Sequence, residues 1–356
     1  MHFDFFAINI IYFLHYRVGP YMKKEAMIKE RVEKNLQVLQ LLANNELNMS
    51  KEEKIKILNQ YTGWGSLHDA IYTPSIYKEL KKYLSDVKIA SIKQSTNSAY
   101  YTPELLIKFI WSIISRLGFK GGKVLEPAAG IGTFLDNMPK SLYLDSIIDL
   151  VETDLLTCEI LVAKYQDLNI NRIGFESINY GDRKYDLIIS NPPYSSQIVE
   201  DIYYKDLSHL AIHHFFVAKS ARLLKEKGII AMVLPQFFLD NVKDHARNII
   251  AASGVNLLAA YRLPDNLFAG AKITVDIVFL QKSDTKVEWE ETANISIGKY
   301  NKPMNEYFIN NPDNILGELD IVRMYERMGI TCKESGNLRD KLKMIFTTVP
   351  KLSVFN

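Results

Sequence analysis

Ten residues, Tyr185 to Tyr194 with the sequence YDLIISNPPY, carry the pattern best suited to chemistry. Asp186 to Ile189 form a short, mostly apolar run expected for a strand buried in a sheet, and Pro192-Pro193 forbids its continuation. The strand therefore delivers Asn191 to a stiff turn at the sheet edge. A planar NH2 whose lone pair is delocalised into a ring or carbonyl is a poor nucleophile. Two acceptors placed on its two hydrogens favour the pyramidal form that can attack, and the Asn191 amide oxygen and a carbonyl of the proline turn are suited to that task. Pro192 fixes its own φ and restricts Asn191, so both acceptors would be in place before a substrate arrives, which is preorganised electrostatic catalysis. Tyr194 adds a flat face on which a planar substrate can stack. Asn-Pro is also a common turn signal, so these residues need support from the rest of the chain before a proline-terminated strand without chemistry is set aside.

The supporting elements lie upstream. Gly121-Gly122 precede KVLEPAAGIGTFL. Val124 and Leu125 read as a short strand with Glu126 at its carboxyl end. The small residues Ala128, Ala129, Gly130 and Gly132 let a ligand approach the backbone before a helix that begins near Thr133. In open α/β sheets the crevice beyond the first strand is where nucleotide-like ligands bind. The glycine spacing is looser than a dinucleotide fingerprint and lacks the Walker pattern. An acidic residue in the loop disfavours a phosphate and suits a ligand with a positive amino or sulfonium group. Ile147 to Val151 reads as a second strand ending in Glu152-Thr153-Asp154, where doubly wound folds place a carboxylate on ribose hydroxyls. Glu152 is the first choice for that role and Asp154 the second. Ile173 to Glu176 reads as the end of a third strand, with Glu176 placed to accept from an adenine amino group. Ahead of these, Tyr100-Tyr101-Thr102-Pro103 is extended before a helix opening on Pro103-Glu104. Thr102 offers a hydroxyl at that helix N-terminus, a natural carboxylate site, although an ordinary capped helix has the same signature.

Downstream of Tyr194, a polar stretch from Ser195 to Leu207 leads to a helix from about Ser208 to Leu224. His209, His213 and His214 on it read as ordinary helix residues, since no acidic or cysteine partner completes a metal pattern. Strands are expected at Gly228 to Pro235, Leu257 to Leu263 and Val275 to Leu280. Strands alternating with helices argue for a mainly parallel sheet covered on both faces. Toward the amino end, apolar spacing predicts a helix from Lys23 to about Leu42. Ser50 with Glu53 forms a capping-box signature for a second helix carrying Ile55, Leu58 and Tyr61. The cluster Thr62-Gly63-Trp64-Gly65 reads as a helix stop with a buried Trp, and a further helix spans about Pro74 to Leu84.

Composition bounds the partners. The 356 residues, 47% hydrophobic, can bury a sizeable core, and a formal net charge of +2 gives no global field for nucleic acid. Cys158 and Cys332 stand far apart, so neither a disulfide framework nor a zinc site is supported, no metal is implied, and a reducing, cytoplasmic setting is the default. The opening HFDFFAINIIYFLHY is apolar but interrupted and too short for a membrane span. It reads as an upstream extension with Met22 as the natural start, or as an aromatic strip packing on the main domain.

Together, YYTP, then VLEPAAGIGTFL, then an acidic strand end, then NPPY resemble the amino-methyltransferases that methylate N6 of adenine in DNA, in the gamma order of motifs. The resemblance covers about Ser98 to Lys282. QYTGWGSL, SAYYTP, EPAAGIGTFL and YRLPDNLFAGAKITVDIVFLQK are more narrowly similar to methylase modules of plasmids and phages, some fused to helicases. It implies a Rossmann-like class I methyltransferase fold with a mainly parallel seven-stranded sheet. It also implies a helical domain at 22–95, a catalytic domain at 96–285 and a tail or helical extension at 286–356, after the leader at 1–21. S-adenosyl-L-methionine is the implied cofactor, held by Tyr101, Thr102, Glu126, Pro127, Ala128, Gly130, Phe134, Glu152, Glu176 and Asn191. Thr102 would lie near its carboxylate, Glu126 near its amino group, Glu152 on its ribose and Glu176 on its adenine. Asn191, Pro192, Pro193 and Tyr194 would act on the target adenine, with Phe268 stacking on its opposite face. The third acidic position is Glu176 where an Asp is usual, and the stretch after Lys282 is short for a target-recognition domain. DNA is the implied partner, with Lys108, Arg116, Lys120, Lys219, Arg222 and Lys225 as candidate phosphate contacts and a helicase, restriction or mobile-element component as a further partner. Acceptors on RNA or a protein glutamine, and a non-catalytic DNA-binding module, are the competing expectations.

Overall fold

The computed structural model describes residues 24–44, 49–65, 67–95, 101–242, 245–268, 271–284, 289–324 and 327–349. The leader at 1–21 and residues 98–100 lie outside them.

Seven strands form the central sheet: β1 (Gly122–Glu126), β2 (Ser146–Val151), β3 (Asn169–Asn171), β4 (Tyr185–Ser190), β5 (Leu224–Pro235), β6 (Val255–Arg262) and β7 (Val275–Lys282). Their order is β3-β2-β1-β4-β5-β7-β6. β7 alone runs antiparallel to its neighbours β5 and β6. β1 and β4 are adjacent and parallel, so the chain's two chemistry-bearing strand ends open on the same edge of the sheet.

Alternation along the strands explains the burial on both faces. Val124, Leu187, Ile189, Ile229, Ala231 and Val233 point to one core, and Leu125, Ile188, Ile230, Met232 and Leu234 to the other. The first core is closed by the helix Glu104–Arg116, which buries Leu106, Ile107, Phe109, Ile110, Trp111, Ile113 and Ile114. The second is closed by the helix Ile212–Leu223, whose Phe215, Phe216 and Val217 lie against the sheet.

Three expectations change. Residues 173–176 are not a strand: β3 has ended at Asn171, and Phe175–Ser177 forms a 3-10 turn. His209 precedes the helix Ile212–Leu223, because the chain first makes a short turn at Lys205–Leu207. The segment beyond β7 is no tail, and much of it is β rather than helix. It forms hairpins Thr292–Ile297 with Tyr300–Asn305 and Gly317–Met324 with Arg327–Glu334, then a helix Leu338–Thr348. That helix buries Leu338, Leu342 and Ile345 in the same core as the helix Glu104–Arg116.

The chain divides into two compact units, one of Met1–Thr62 with Asp69–Leu84, the other of Gly63–His68 with Ser85–Asn356. In the first, the helix Lys51–Leu58 carries the complete Ser50/Glu53 capping box. Buried Asn35 accepts from the Thr62 N–H at 2.9 Å and so fixes where this helical stretch ends. In the second, the helix Asp86–Ser95 packs on Leu155–Lys164 through Lys88–Glu159 and Ser91–Asp154, so it belongs with the sheet rather than with the upstream helices.

Candidate active site

Beyond the carboxyl ends of β1, β2 and β4 lies a cleft of about 380 Å³. Tyr101, Thr102, Glu126, Pro127, Ala128, Gly130, Phe134, Glu152, Glu176, Asn191 and Pro193 all line it. Residues far apart in the chain, such as Tyr101 and Pro193, thus share one wall, because β1 and β4 are neighbours and β2 flanks β1.

The glycine loop is held from several sides. The Ala129 N–H donates to the Val151 carbonyl at 2.9 Å. Glu152 accepts from the N–H of Gly130 with one carboxylate oxygen and from those of Thr153 and Asp154 with the other, each at 2.8 Å. A carboxylate has about four lone-pair positions, so one remains for a ligand hydroxyl. Asp154, the second choice for that role, is occupied otherwise. It caps the helix Leu155–Lys164 through the Thr157 N–H and accepts from Ser91 Oγ at 2.7 Å. Behind the loop, buried Lys164 donates to the Ile131 carbonyl and to Asp136, both at 2.6 Å.

Glu126 is 3% exposed, and no described residue donates a hydrogen bond to it. Burial pushes its carboxyl well above the usual range, Asp136 and Glu152 add to the shift, and Lys164 opposes it. Thr102, 6% exposed, has a hydroxyl without a partner among the described residues, just before the helix Glu104–Arg116. A buried acid awaiting a positive charge and a buried donor awaiting an acceptor, both lining one cleft, fit a ligand bearing an ammonium and a carboxylate. Glu176 reaches the cleft from the turn Phe175–Ser177. Lys219, 0% exposed, pins that turn by donating to the carbonyls of Phe175 and Ile178 and to buried Asp201.

Asn191 follows β4 directly, and Pro192 is buried behind it. The Tyr194 hydroxyl is placed between Asn191 Oδ1 and the Val233 carbonyl on β5, donating its one proton to either. Tyr194 is half-buried, packs against the first core and does not line the cleft, and its hydroxyl lies at the Val233 carbonyl on β5. Phe268 is 3% exposed and packs in the core with Leu263 and Val275, which corrects the expectation that its ring is offered to a base. The sequence pattern that suggested it, an aromatic in a glycine-containing loop, does not report burial.

Most of the basic residues expected on phosphates have other partners. Lys219 is buried, Lys108 pairs with Glu104, Arg222 with Asp206 and Lys225 with Asp186, and Arg116 lies over the Phe346 ring. Sequence reasoning missed Ser91, Gln197, Val199 and Phe216, which also line the cleft. No local signal marks them, since they arrive from the helix Asp86–Ser95, the segment after Tyr194 and the helix Ile212–Leu223. His213 and His214 pack against Phe237 and Phe238. Among the described residues no group of three metal-binding side chains occurs, and no helix is long and apolar enough to cross a membrane.

Sheet order, the single antiparallel strand and a cleft beyond the parallel strand ends define a class I methyltransferase fold. The chain belongs to the N-6 DNA Methylase family, whose model matches residues 81–337. It is 26% identical over 219 residues to the Type II methyltransferase M.CvrRI of Paramecium bursaria Chlorella virus XZ-6E, spanning 60% of this chain and 55% of that protein. It is 21% identical over 193 residues to the Defense against restriction protein B of Escherichia phage P1, spanning 52% of this chain and 8% of that protein. Among solved structures, a type I restriction-modification system methyltransferase subunit from Streptococcus thermophilus aligns at 14% identity with a TM-score of 0.45, over 87% of this chain and 77% of that one.

Proposed function

We propose that the chain transfers a methyl group from S-adenosyl-L-methionine to N6 of an adenine extruded from DNA. The observation that carries this reading is the arrival of Asn191, on its proline turn, in the same cleft as buried Glu126 and Thr102. Bound there, the cofactor would supply an electrophilic methyl on a sulfonium.

The chain's own residues do the rest. Glu126 ionises against the ammonium and Thr102 donates to the carboxylate. Glu152 keeps a lone pair for a ribose hydroxyl, and Glu176 accepts from the cofactor's adenine amino group, with Tyr101, Pro127, Ala128, Gly130 and Phe134 forming the remaining wall. At the target, Asn191 Oδ1 and the Pro192 carbonyl accept the two N6 hydrogens and favour the pyramidal amine. As the new C–N bond forms, the methyl–sulfur bond would break to leave the neutral thioether S-adenosylhomocysteine, and the surplus N6 proton passes to water. Tyr194 holds the Asn191 oxygen in place through its hydroxyl. No covalent enzyme intermediate is needed. Extruding the base costs a few kcal/mol of stacking, so single-stranded or distorted DNA should react faster than a relaxed duplex.

The order of motifs is that of the gamma class. The similarity to a phage protein named for defense against restriction favours a DNA-handling partner, such as a helicase, restriction or mobile-element component, that would add target recognition, with both acting in the cytoplasm. The test is transfer of a labelled methyl group from S-adenosyl-L-methionine to unmodified DNA, with RNA and a protein extract in parallel and products digested to nucleosides or amino acids. Label in N6-methyladenine from DNA is the expected result. Label confined to RNA or to glutamine would replace the acceptor, and none anywhere would favour a binding module.

A further inference from the structure

The segment Thr62-Gly63-Trp64-Gly65 lies far upstream of the cleft in sequence and has no part in the mechanism above. In the fold, Gly63 belongs to the same compact unit as the sheet. Its φ is +66°, and a Cβ built on it would stand 2.5 Å from Cε2 of Tyr101. The other edge of the same ring is met by the glycine loop: a Cβ on Gly130, at φ +56°, would stand 3.1 Å from Cε1 of Tyr101. The Tyr101 ring is therefore held edgewise between two glycine backbones: the approach at Gly63 is closer than a side-chain-bearing residue permits, and that at Gly130 is tight enough that a Cβ would make the ring give by a few tenths of an ångström.

Neither glycine is free to retreat. Trp64 and Leu67 are each 1% exposed, and the Leu67 N–H closes on the Trp64 carbonyl at 3.0 Å, so the turn after Gly63 is anchored. On the opposite side the Gly130 N–H is bonded to Glu152. Tyr101 itself lines the cleft and leads directly into Thr102, whose buried hydroxyl awaits an acceptor. A displacement of the ring moves the Thr102 hydroxyl, the Gly130 loop, or both.

We infer that Gly63 is a positioning residue for the cofactor: it backs the Tyr101 ring against the glycine loop and so sets cofactor affinity without touching the cofactor. The inference rests on the cofactor reading proposed above, and its signature is dependence on the ring at position 101.

The experiment is a calorimetric titration of the full chain with S-adenosylhomocysteine, for the unaltered protein, Gly63→Ala, Tyr101→Phe, Tyr101→Leu and the two double variants. Gly63→Ala and Gly63→Ala/Tyr101→Phe should each bind about tenfold more weakly than the same protein with Gly63, because the ring remains in the way of the new methyl. In the Tyr101→Leu background, Gly63→Ala should change affinity by less than about twofold, the range expected of uncoupled sites. Equal losses from Gly63→Ala in all backgrounds would show that strain at φ +66° alone is responsible and would overturn the inference, as would an unchanged affinity of Gly63→Ala. Should Gly63→Ala alone fail to fold, recovery of folding and binding in Gly63→Ala/Tyr101→Leu supports the same contact, and failure of both overturns it. No binding by the unaltered chain would overturn the cofactor reading itself, and the inference with it.

Discussion

Glu126 and Asn191 line one cleft in different surroundings, which suit the different tasks proposed for them. Glu126 is a buried acid held toward its neutral form, first by desolvation and then by Asp136 and Glu152, against the pull of Lys164. An ammonium ligand needs the ionised form, so affinity is full above the Glu126 titration and is lost as pH falls through it. Because the titration is raised, that loss should begin at a higher pH than an ordinary carboxylate would dictate. Titrations of S-adenosylhomocysteine across pH should show it, with Glu126→Gln weaker by about tenfold or more and nearly flat in pH. A wild-type profile identical to that of the variant would remove Glu126 from the ammonium. At Asn191 the expected separation is the reverse. Asn191→Ala should lower methyl transfer by about 10²–10³ while leaving S-adenosylhomocysteine affinity within about twofold, since the lost oxygen acts on the target. If affinity collapsed together with transfer, Asn191 would belong to the cofactor instead. Tyr194→Phe, which keeps the ring and deletes the hydroxyl between Asn191 and Val233, should slow transfer by up to about tenfold in single-turnover assays. Unchanged rates would show that Asn191 needs no such support.

The elements around the cleft are fixed by packing that reaches across the chain. The described residues on either side of 269–270 are clamped by the strand Arg327–Glu334: the Asp265 N–H donates to the Cys332 carbonyl at 2.8 Å, Lys333 pairs with Asp265 at 2.9 Å, and Thr274 meets Thr331 at 3.1 Å. Between these bonds Phe268 is buried in the first core. Its ring contributes core, so Phe268→Ala should cost about 3–5 kcal/mol in denaturant unfolding. Loss of base capture with unchanged stability would return Phe268 to the active site. The turn Phe175–Ser177 is a second case. Ile173 to Glu176 reads in sequence as a strand end, yet Phe175–Ser177 forms a 3-10 turn, held by Lys219, which donates to the Phe175 and Ile178 carbonyls and pairs with buried Asp201. The cleft still receives Glu176, since a turn and a strand end at this edge of the sheet deliver the residue to nearly the same place.

At the scale of the whole molecule, the helix Leu338–Thr348 covers the first core beside Glu104–Arg116. A chain ending at Gly336 would expose Leu338's, Leu342's and Ile345's packing partners, at about 2 kcal/mol for each lost side chain. Such a truncation should melt earlier and bind a hydrophobic dye more strongly than the full chain. Equal melting curves would show that the helix is dispensable to the core. The same helix was unremarkable in sequence, and so were the two hairpins before it, because short strands with mixed polarity carry little periodic signal.

The sequence by itself determined the strand ends and what stands on them. An apolar run stopped by Pro192, a glycine-rich loop after Val124-Leu125 and acidic residues after each of the first strands are local patterns, and local sterics and burial are enough to read them. Only the tertiary structure decided which of these residues meet. It brought Glu126, Glu152, Glu176 and Asn191 to one cleft, set Gly63 against Tyr101, and turned the Tyr194 hydroxyl toward Val233. It also buried Phe268 and Lys219, a hydrophobic ring and a cation that the sequence reading had placed on the substrate. The reason is physical: a residue's exposure depends on what distant segments pack over it, and no window along the chain contains those segments.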